Sequence, residues 1–243
     1  MESSEEMPIG GSLLKMKDFE KKYQAEGAYH HRLEGFARWW MFDNYRILAS
    51  WLGRDGLTLD LACGDGMIWR FLKTRHIVGA DHSLSGLRQA RQFAAPPLVQ
   101  ADMNSLPFKA EMFQNVVCSL SFQYLHSSDL DLCFGELARI LKTSGRLAFS
   151  YPNVRPDRQG EDPSHAALPY SDIASKLRRT GFSPVKVRGI SLRMPRRLVR
   201  WSVRPAGKPF AGLYYAFLKT GRFLPHRSYH YAVCCVKAKE GSR

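Results

Sequence analysis

The stretch Leu57–Gly66, which reads LTLDLACGDG, constrains the fold of this chain more than any other. Its first six residues predict a short buried strand, Leu57–Ala62, and the next four predict a glycine turn, Cys63–Gly66. A helix over Met67–Lys73 is expected to follow. Glycine lets the backbone approach a ligand closely, and a helix N-terminus offers free N–H groups. A strand, a glycine turn and a helix in this order are therefore typical of nucleotide-binding sites.

Asp60, at the end of this strand, indicates the charge of the ligand. A carboxylate beside the turn repels phosphate and suits a ligand that carries a positive charge there. Short glycine patterns also arise by chance, so the stretch by itself leaves open an ordinary strand-to-helix turn.

The segments that follow predict alternating strands and helices. Alternation of this kind is typical of a parallel sheet with helices on both faces. The predicted strands are His76–Asp81, Leu98–Ala101, Asn115–Leu120, Arg146–Tyr151, Phe182–Ile190 and Tyr229–Lys237. The predicted helices are Leu33–Leu52, Ser83–Phe93, Asp129–Leu141, which ends near Thr143–Gly145, and Ser171–Thr180.

Carboxylates recur at the ends of the first three predicted strands. Asp60, Asp81 and Asp102 lie about twenty residues apart. Ligands of open α/β sheets bind at the carboxyl ends of the strands. A single acid at such a position is often a helix cap, whereas three in succession predict a binding site.

Five segments together resemble a known family. LDLACGDG, VGADHSLSGLRQAR, ADMNSLPF, NVVCSLSFQYL and ELARILKTSGRLAFSYPN cover about residues 57–153. In order and spacing they resemble the class I S-adenosylmethionine-dependent methyltransferases of the type 11-like, small-molecule group. The resemblance implies a three-layer αβα, Rossmann-like fold with a seven-stranded, mostly parallel sheet whose last strand is antiparallel beside the fifth. Only Gly64 and Gly66 match the dehydrogenase pattern G-x-G-x-x-G, which disfavours a nicotinamide cofactor.

The same resemblance implies S-adenosyl-L-methionine as the cofactor and assigns roles around it. Asp60 and the glycine turn would face its amino-acid end, and Asp81 would accept both ribose hydroxyls. Asp102 and the backbone of Met103 would read the adenine edge, with Leu84 and Met103 on the two faces of the ring. The full predicted cofactor set is Tyr23, Asp60, Ala62, Gly64, Gly66, Asp81, His82, Leu84, Asp102, Met103 and Ser119.

Methyl transfer needs a base only if the nucleophile enters protonated. His165, in the loop before the sixth strand, ranks first as the catalytic base, and His30 and His31 in the N-terminal segment rank next. The alternative for each histidine is a surface or packing role. The five cysteines lack zinc-type spacing, so no metal is expected.

The sequence predicts one domain over residues 1–243. Its parts are an N-terminal helical lid (1–55), a cofactor-binding core (56–190), a basic amphipathic insert (191–228) and a last strand (229–238). Sixteen Lys and Arg but no Asp or Glu lie between Ile173 and Lys239, while the rest of the chain has twenty basic and twenty-two acidic residues. The net charge of +14 therefore belongs to the C-terminal third.

The insert predicts two helices, Arg196–Arg204 and Phe210–Lys219. The second places Phe210, Leu213, Tyr214, Phe217 and Leu218 on one apolar face. Three interpretations remain open: a lid over the acceptor pocket, peripheral contact of residues 192–225 with an anionic membrane, and RNA binding. RNA is the least favoured, since no recognised RNA-binding module accompanies the insert.

These features predict a methyltransferase that acts on a small-molecule or lipid-linked acceptor. Oxygen is the expected target, because the sequence after the fourth strand, SLSFQYL, lacks the N-P-P-Y type of amide-methylating motif. The alternatives are an RNA methyltransferase and a non-catalytic, cofactor-binding partner subunit. An acidic N-terminus unlike a secretory signal, no apolar run of about 20 residues and no C-x-x-C pair predict a cytoplasmic protein, with peripheral contact at the inner face of the membrane as an extension.

Overall fold

The computed structural model describes residues 20–93, 96–153, 168–192 and 211–238. Seven strands form one sheet in the order β3-β2-β1-β4-β5-β7-β6. They are β1 (Thr58–Leu61), β2 (Ile77–Asp81), β3 (Leu98–Gln100), β4 (Phe113–Ser119), β5 (Leu141–Pro152), β6 (Phe182–Leu192) and β7 (Ser228–Lys237). β7 lies antiparallel between β5 and β6, and the other neighbouring strands are parallel. The predicted mostly parallel, Rossmann-like sheet with an antiparallel last strand is confirmed.

Within the described residues, six α-helices accompany the sheet. They are α1 (residues 20–26), α2 (Gly35–Trp51), α3 (Leu84–Ala90), α4 (Ser127–Ile140), α5 (Tyr170–Arg179) and α6 (Ala211–Leu218). Ser83 caps α3 by accepting a hydrogen bond from the Gly86 N–H at 2.9 Å, as its sequence position predicts.

Alternate residues of the central strands pack into two different cores. In β4, Val116 lies in the core that α4 and α5 cover, while Val117 lies in the core that α2 covers. Successive side chains of a strand point to opposite faces, so a strand with helices on both sides must be apolar throughout. This explains the unbroken apolar runs that predicted the central strands.

Two predicted elements differ from the structure. Met67–Lys73 is wrong as an α-helix, because only a 3-10 turn, Met67–Arg70, forms where Trp69 folds back over Gly66. The predicted turn Thr143–Gly145 lies inside β5, which begins at Leu141 directly after α4. The second insert helix is confirmed as α6, followed by the 3-10 turn Lys219–Phe223. The first, Arg196–Arg204, lies outside the described residues.

Candidate active site

A cavity of about 420 Å³ opens at the carboxyl ends of β1, β2 and β4, beneath the N-terminal segment. A cavity of this size suits a small organic ligand. Nine of the predicted cofactor-binding and catalytic residues line it: Tyr23, His30, Asp60, Ala62, Gly64, Asp81, His82, Met103 and Ser119.

The glycine turn is fitted to this place by its backbone. Gly64 and Gly66 have φ angles of 53° and 73°, a left-handed conformation that glycine adopts without strain. A Cβ on Gly64 would collide with the hydroxyl of Tyr23, and one on Gly66 would collide with the ring of Trp69. The turn therefore needs glycine both for its conformation and for close packing.

The carboxyl of Asp60 is almost fully buried at the end of β1, with 1% of its surface exposed. Trp69 Nε1 donates a hydrogen bond to its Oδ2 at 2.8 Å. Burial raises the pKa of Asp60 well above its ordinary value, and Asp81 and Asp65 raise it further. Since a cation nearby would favour the ionised form, this acid fits a positively charged ligand.

Asp81 is held by two backbone donors at the end of β2. Gly64 N–H donates to Oδ2 at 2.7 Å, and Ser83 N–H donates to Oδ1 at 2.8 Å. Each carboxylate oxygen keeps capacity for a further bond, so the group can accept hydrogen bonds from a pair of ligand hydroxyls. Burial raises the pKa of Asp81, although these hydrogen bonds act in the opposite direction.

The N-terminal segment is attached to the core at two places on the rim. At the first, the Glu20 carboxylate accepts hydrogen bonds from Ser83 Oγ at 2.7 Å, Ser85 N–H at 3.2 Å and Ser85 Oγ at 2.5 Å. Burial alone would raise the pKa of Glu20, but the hydrogen bonds from Ser85 and Ser83 outweigh it and lower the pKa to about 2. The ionised form of Glu20 thus holds α1 against the start of α3.

At the second place, Asp65 of the glycine turn binds two histidines. Its carboxylate accepts from His30 N–H at 3.0 Å and lies 3.1 Å from His30 Nδ1. His31 Nε2 lies 3.2 Å from the backbone oxygen of Asp65. Because a carboxylate accepts hydrogen bonds, Nδ1 of His30 is the donor in this contact, and in the neutral imidazole the lone pair is then on Nε2.

The loop after β4 supplies a polar wall. Leu120 has a φ of 53°, an uncommon conformation for a residue with a side chain. Its carbonyl accepts from Gln123 Nε2 at 2.7 Å, and Ser119 Oγ accepts from Asn44 Nδ2 at 2.9 Å. Ala62, at the end of β1, is also left-handed, with a φ of 57°. Uncommon backbone conformations on two walls of one cavity are typical of functional sites.

The structure places four of the remaining predicted residues away from the cavity lining. The carboxylate of Asp102 is exposed and accepts a hydrogen bond from Asn104 N–H at 2.8 Å. Leu84 is 41% exposed, and the ring of His31 stacks on Phe93 with centroids 3.6 Å apart. Gly66 shapes the turn beneath Trp69. His165, ranked first as the base, lies outside the described residues.

Several lining residues were missed. Lys22, Gln123 and His230 line the cavity without having been singled out, and Asp65 holds His30 beside it; Trp40, for which core packing was favoured over a lining role, lines it too. The sequence places Asp65 between the two turn glycines, but its histidine partner lies 35 residues earlier. Gln123 follows the strand that the motif identified. Trp40 and His230, whose rings are 4.9 Å apart, come from α2 and β7 and gave no common signal.

Within the described residues, no group of three His, Cys, Asp or Glu side chains could hold a metal ion. None of the helices there is long and apolar enough to cross a membrane.

The strand order, the glycine turn and the acids at the ends of β1 and β2 define a class I S-adenosylmethionine-dependent methyltransferase. Residues 59–149 match the family model described as a methyltransferase domain. The match covers β1 to β5, apart from the first residue of β1 and the last three residues of β5.

Individual proteins are also similar to parts of this chain. The chain is 38% identical over 101 residues to a malonyl-[acyl-carrier protein] O-methyltransferase of Legionella pneumophila, covering 38% of this chain and 34% of that protein. It is 30% identical over 150 residues to the human mitochondrial arginine-hydroxylase NDUFAF5, covering 54% and 43% of the two chains. The aligned regions thus span less than half the length of these relatives.

Among solved structures, magnesium protoporphyrin IX methyltransferase from Synechocystis with bound S-adenosylhomocysteine superposes with a TM-score of 0.62. The superposition covers 92% of this chain and 100% of that one, at 16% identity. At this identity the likeness establishes the shared fold.

Proposed function

We propose that this protein transfers the methyl group of S-adenosylmethionine to an oxygen of a small-molecule or lipid-linked acceptor. The observation that carries the proposal is a single cavity whose wall holds the acids Asp60 and Asp81 and whose rim holds the His30–Asp65 pair. The O-methyltransferase relative, whose name specifies a carrier-linked acceptor, supports oxygen as the target.

The residues present fit the cofactor. Three features meet at one cavity. They are the buried acid Asp60, a glycine turn with no room for a Cβ at Gly64, and the carboxylate of Asp81, which can accept hydrogen bonds from two hydroxyls. Asp60 would face the positive charge, Asp81 the ribose, and Met103 the adenine. When bound, the cofactor supplies a methyl group activated by a sulfonium.

The protein has to hold the acceptor in line with the methyl group and keep water out. Tyr23 and Tyr29 of the N-terminal segment pack together with ring centroids 5.3 Å apart, and both line the cavity. Ser119 and Gln123 offer polar groups on the opposite, β4 side. Between them these residues would orient an acceptor oxygen.

His30 is the best-placed base among the described residues for a hydroxyl acceptor. Asp65 accepts from Nδ1–H and so directs Nε2, with its lone pair, to act as the proton acceptor. Nε2 of His30 would take the hydroxyl proton as the acceptor oxygen gains the methyl group. A carboxylate acceptor would need no base, which makes the dependence of the rate on His30 a test of the acceptor's chemistry.

Other assignments remain predictions. They are the catalytic role of His165, the division into lid, core, insert and last strand, the cytoplasmic location, and membrane contact through residues 192–225. The RNA alternative rests on charge alone. The non-catalytic alternative is separated from the proposal by measuring turnover as well as binding.

The test combines calorimetry with S-adenosylmethionine and a turnover assay on fractionated extracts, with labelled methyl as the readout. The proposal expects tight binding and a labelled product whose methyl is bound to oxygen. Binding with no labelled product in any fraction would favour the non-catalytic subunit. A product methylated on RNA would replace the small-molecule or lipid-linked acceptor.

A further inference from the structure

The helix α6 and the 3-10 turn after it present large apolar side chains outward. The helix reads AGLYYAFL and contains no charged residue. Leu213 is 75% exposed, Phe217 is 50% exposed, and Phe223 in the following turn is 84% exposed. Single exposed apolar residues are ordinary, whereas three large ones within eleven residues of chain form a patch that marks a contact surface.

This patch corrects the predicted apolar face of the insert. That prediction put Leu213, Tyr214, Phe217 and Leu218 on one face with Phe210, which lies outside the described residues. In the structure Leu218 is buried together with Tyr215, while Leu213 and Phe217, one turn apart, point away. An apolar helix buried on one side only leaves its other side available for a partner.

The inner side of α6 is fixed to the body of the protein. Tyr215 donates a hydrogen bond to the backbone oxygen of Trp39, and the two rings lie edge to face with centroids 4.6 Å apart. Arg222, in the turn after α6, forms an ion pair with the buried Asp43 of α2. The patch thus lies on a helix and turn that are fixed to α2.

We propose that this patch, defined as Leu213, Phe217 and Phe223, docks the protein on an anionic lipid bilayer. Charge decides between possible occupants. Lys219 and Arg227 lie within a few residues of the patch in the sequence, and the whole stretch Ile173–Lys239 contains sixteen basic residues and no acid. Apolar side chains in the acyl boundary with basic groups among anionic headgroups are the composition of an interfacial helix. RNA would gain from stacked aromatic rings but little from Leu213.

Residues that anchor the helix and turn of the patch are chain neighbours of residues that line the cavity. Trp39, which contacts α6, is followed by Trp40, which lines the cavity. On the other side, Asn153 donates hydrogen bonds to the carbonyls of Pro225 and Ser228 at 3.0 and 2.9 Å, directly after the cavity-lining Pro152. A lipid-linked acceptor could therefore reach the cavity from the bilayer. This second part rests on the proposed function, while docking itself does not.

The experiment is flotation of the full chain with phosphatidylcholine vesicles that contain or lack phosphatidylglycerol. The wild type is expected to float with the anionic vesicles and to bind them less as salt rises. The triple variant Leu213→Asp/Phe217→Asp/Phe223→Asp should lose about tenfold or more of that binding. The matched control, Leu132→Asp, changes a leucine of α4 that is 61% exposed and should float like the wild type.

Two outcomes would overturn the docking proposal: equal flotation of the triple variant and the wild type, or no flotation of the wild type with anionic vesicles. Retention of the wild type by an acidic protein or by RNA, without vesicle binding, would assign the patch to that partner instead. S-adenosylmethionine binding, measured on the same samples, should be unchanged in the triple variant. Vesicle binding in a protein that does not bind S-adenosylmethionine would remove the proposed function and leave docking intact.

Discussion

His30 binds Asp65 through two atoms, its backbone N–H at 3.0 Å and its Nδ1 at 3.1 Å. The contact joins the N-terminal segment to the glycine turn and fixes the histidine ring at the rim of the cavity. Lys22, Tyr23 and Tyr29 are the other titratable side chains that line this side. The pair gives the proposed reaction a proton acceptor with a set orientation.

If His30 accepts the hydroxyl proton, His30→Gln should lower kcat by about 10² to 10⁴-fold, the usual contribution of a general base. S-adenosylmethionine affinity should change little. His31→Gln is the control, because His31 stacks on Phe93 outside the cavity lining. An equal loss of kcat in both variants, or no loss in either, would remove His30 from the base role. If kcat is unchanged and the product is methylated on oxygen, the acceptor is a carboxylate.

Asp81 and Asp102 offer a matched pair of acids. Asp81→Ala should weaken S-adenosylmethionine binding by on the order of 1–3 kcal/mol, since a charged hydrogen-bond acceptor is lost. Asp102→Ala should have a clearly smaller effect, because that carboxylate is exposed and bonded within its own turn. Calorimetry at neutral pH measures both. Unchanged affinity in Asp81→Ala would exclude the ribose role.

S-adenosylmethionine binding should strengthen as pH rises through the acidic range. Burial raises the pKa of both Asp60 and Asp81, so each carboxyl stays protonated to a pH above that of an ordinary aspartic acid, 3.8. Only the ionised forms attract the cation and accept from both hydroxyls. Affinity should therefore climb through the raised pKa values and level off above them. A titration series by calorimetry checks this, and affinity that falls with rising pH would contradict it.

The raised pKa of Asp60 also means that its ionised form lowers the stability of the folded protein when no ligand is bound. A folded-state pKa above the unfolded one favours the folded state below the unfolded value, and that stability is lost as pH rises through the folded pKa. At neutral pH, Asp60→Asn should therefore raise the thermal midpoint without ligand and weaken S-adenosylmethionine binding. Differential scanning calorimetry with and without the ligand separates the two effects. A lower midpoint with unchanged binding would show that Asp60 is a structural acid.

Gly64→Ala should destabilise the protein by about 1–2 kcal/mol through its left-handed backbone, and further through collision with the Tyr23 hydroxyl. Gly181→Ala measures the backbone cost alone, since Gly181 has a φ of 89° and no atom within 4 Å of an added Cβ. Tyr23→Phe in the Gly64→Ala background should recover part of the loss. Denaturant unfolding gives the comparison, and no recovery would mean that the collision is relieved elsewhere.

The sequence predicted what depends on local pattern. Apolar runs such as NVVCS predicted buried strands, and acids at strand ends located the ligand edge. Asp65 was missed because its role depends on a contact with His30, which lies 35 residues earlier in the sequence. Trp69 shortened a predicted helix by turning back to Asp60. The outward face of α6 could not be predicted either, since a helix that is apolar all round does not reveal which side the body of the protein covers.

The measurement that tests the central claim most directly is transfer of labelled methyl from S-adenosylmethionine into water-soluble and lipid fractions of an extract, by the wild type and by Asp81→Ala. The account predicts an O-methylated product with the wild type, matched by S-adenosylhomocysteine, and a strongly reduced yield with the variant at limiting cofactor. S-adenosylmethionine that binds and is never converted, with either fraction, would contradict it.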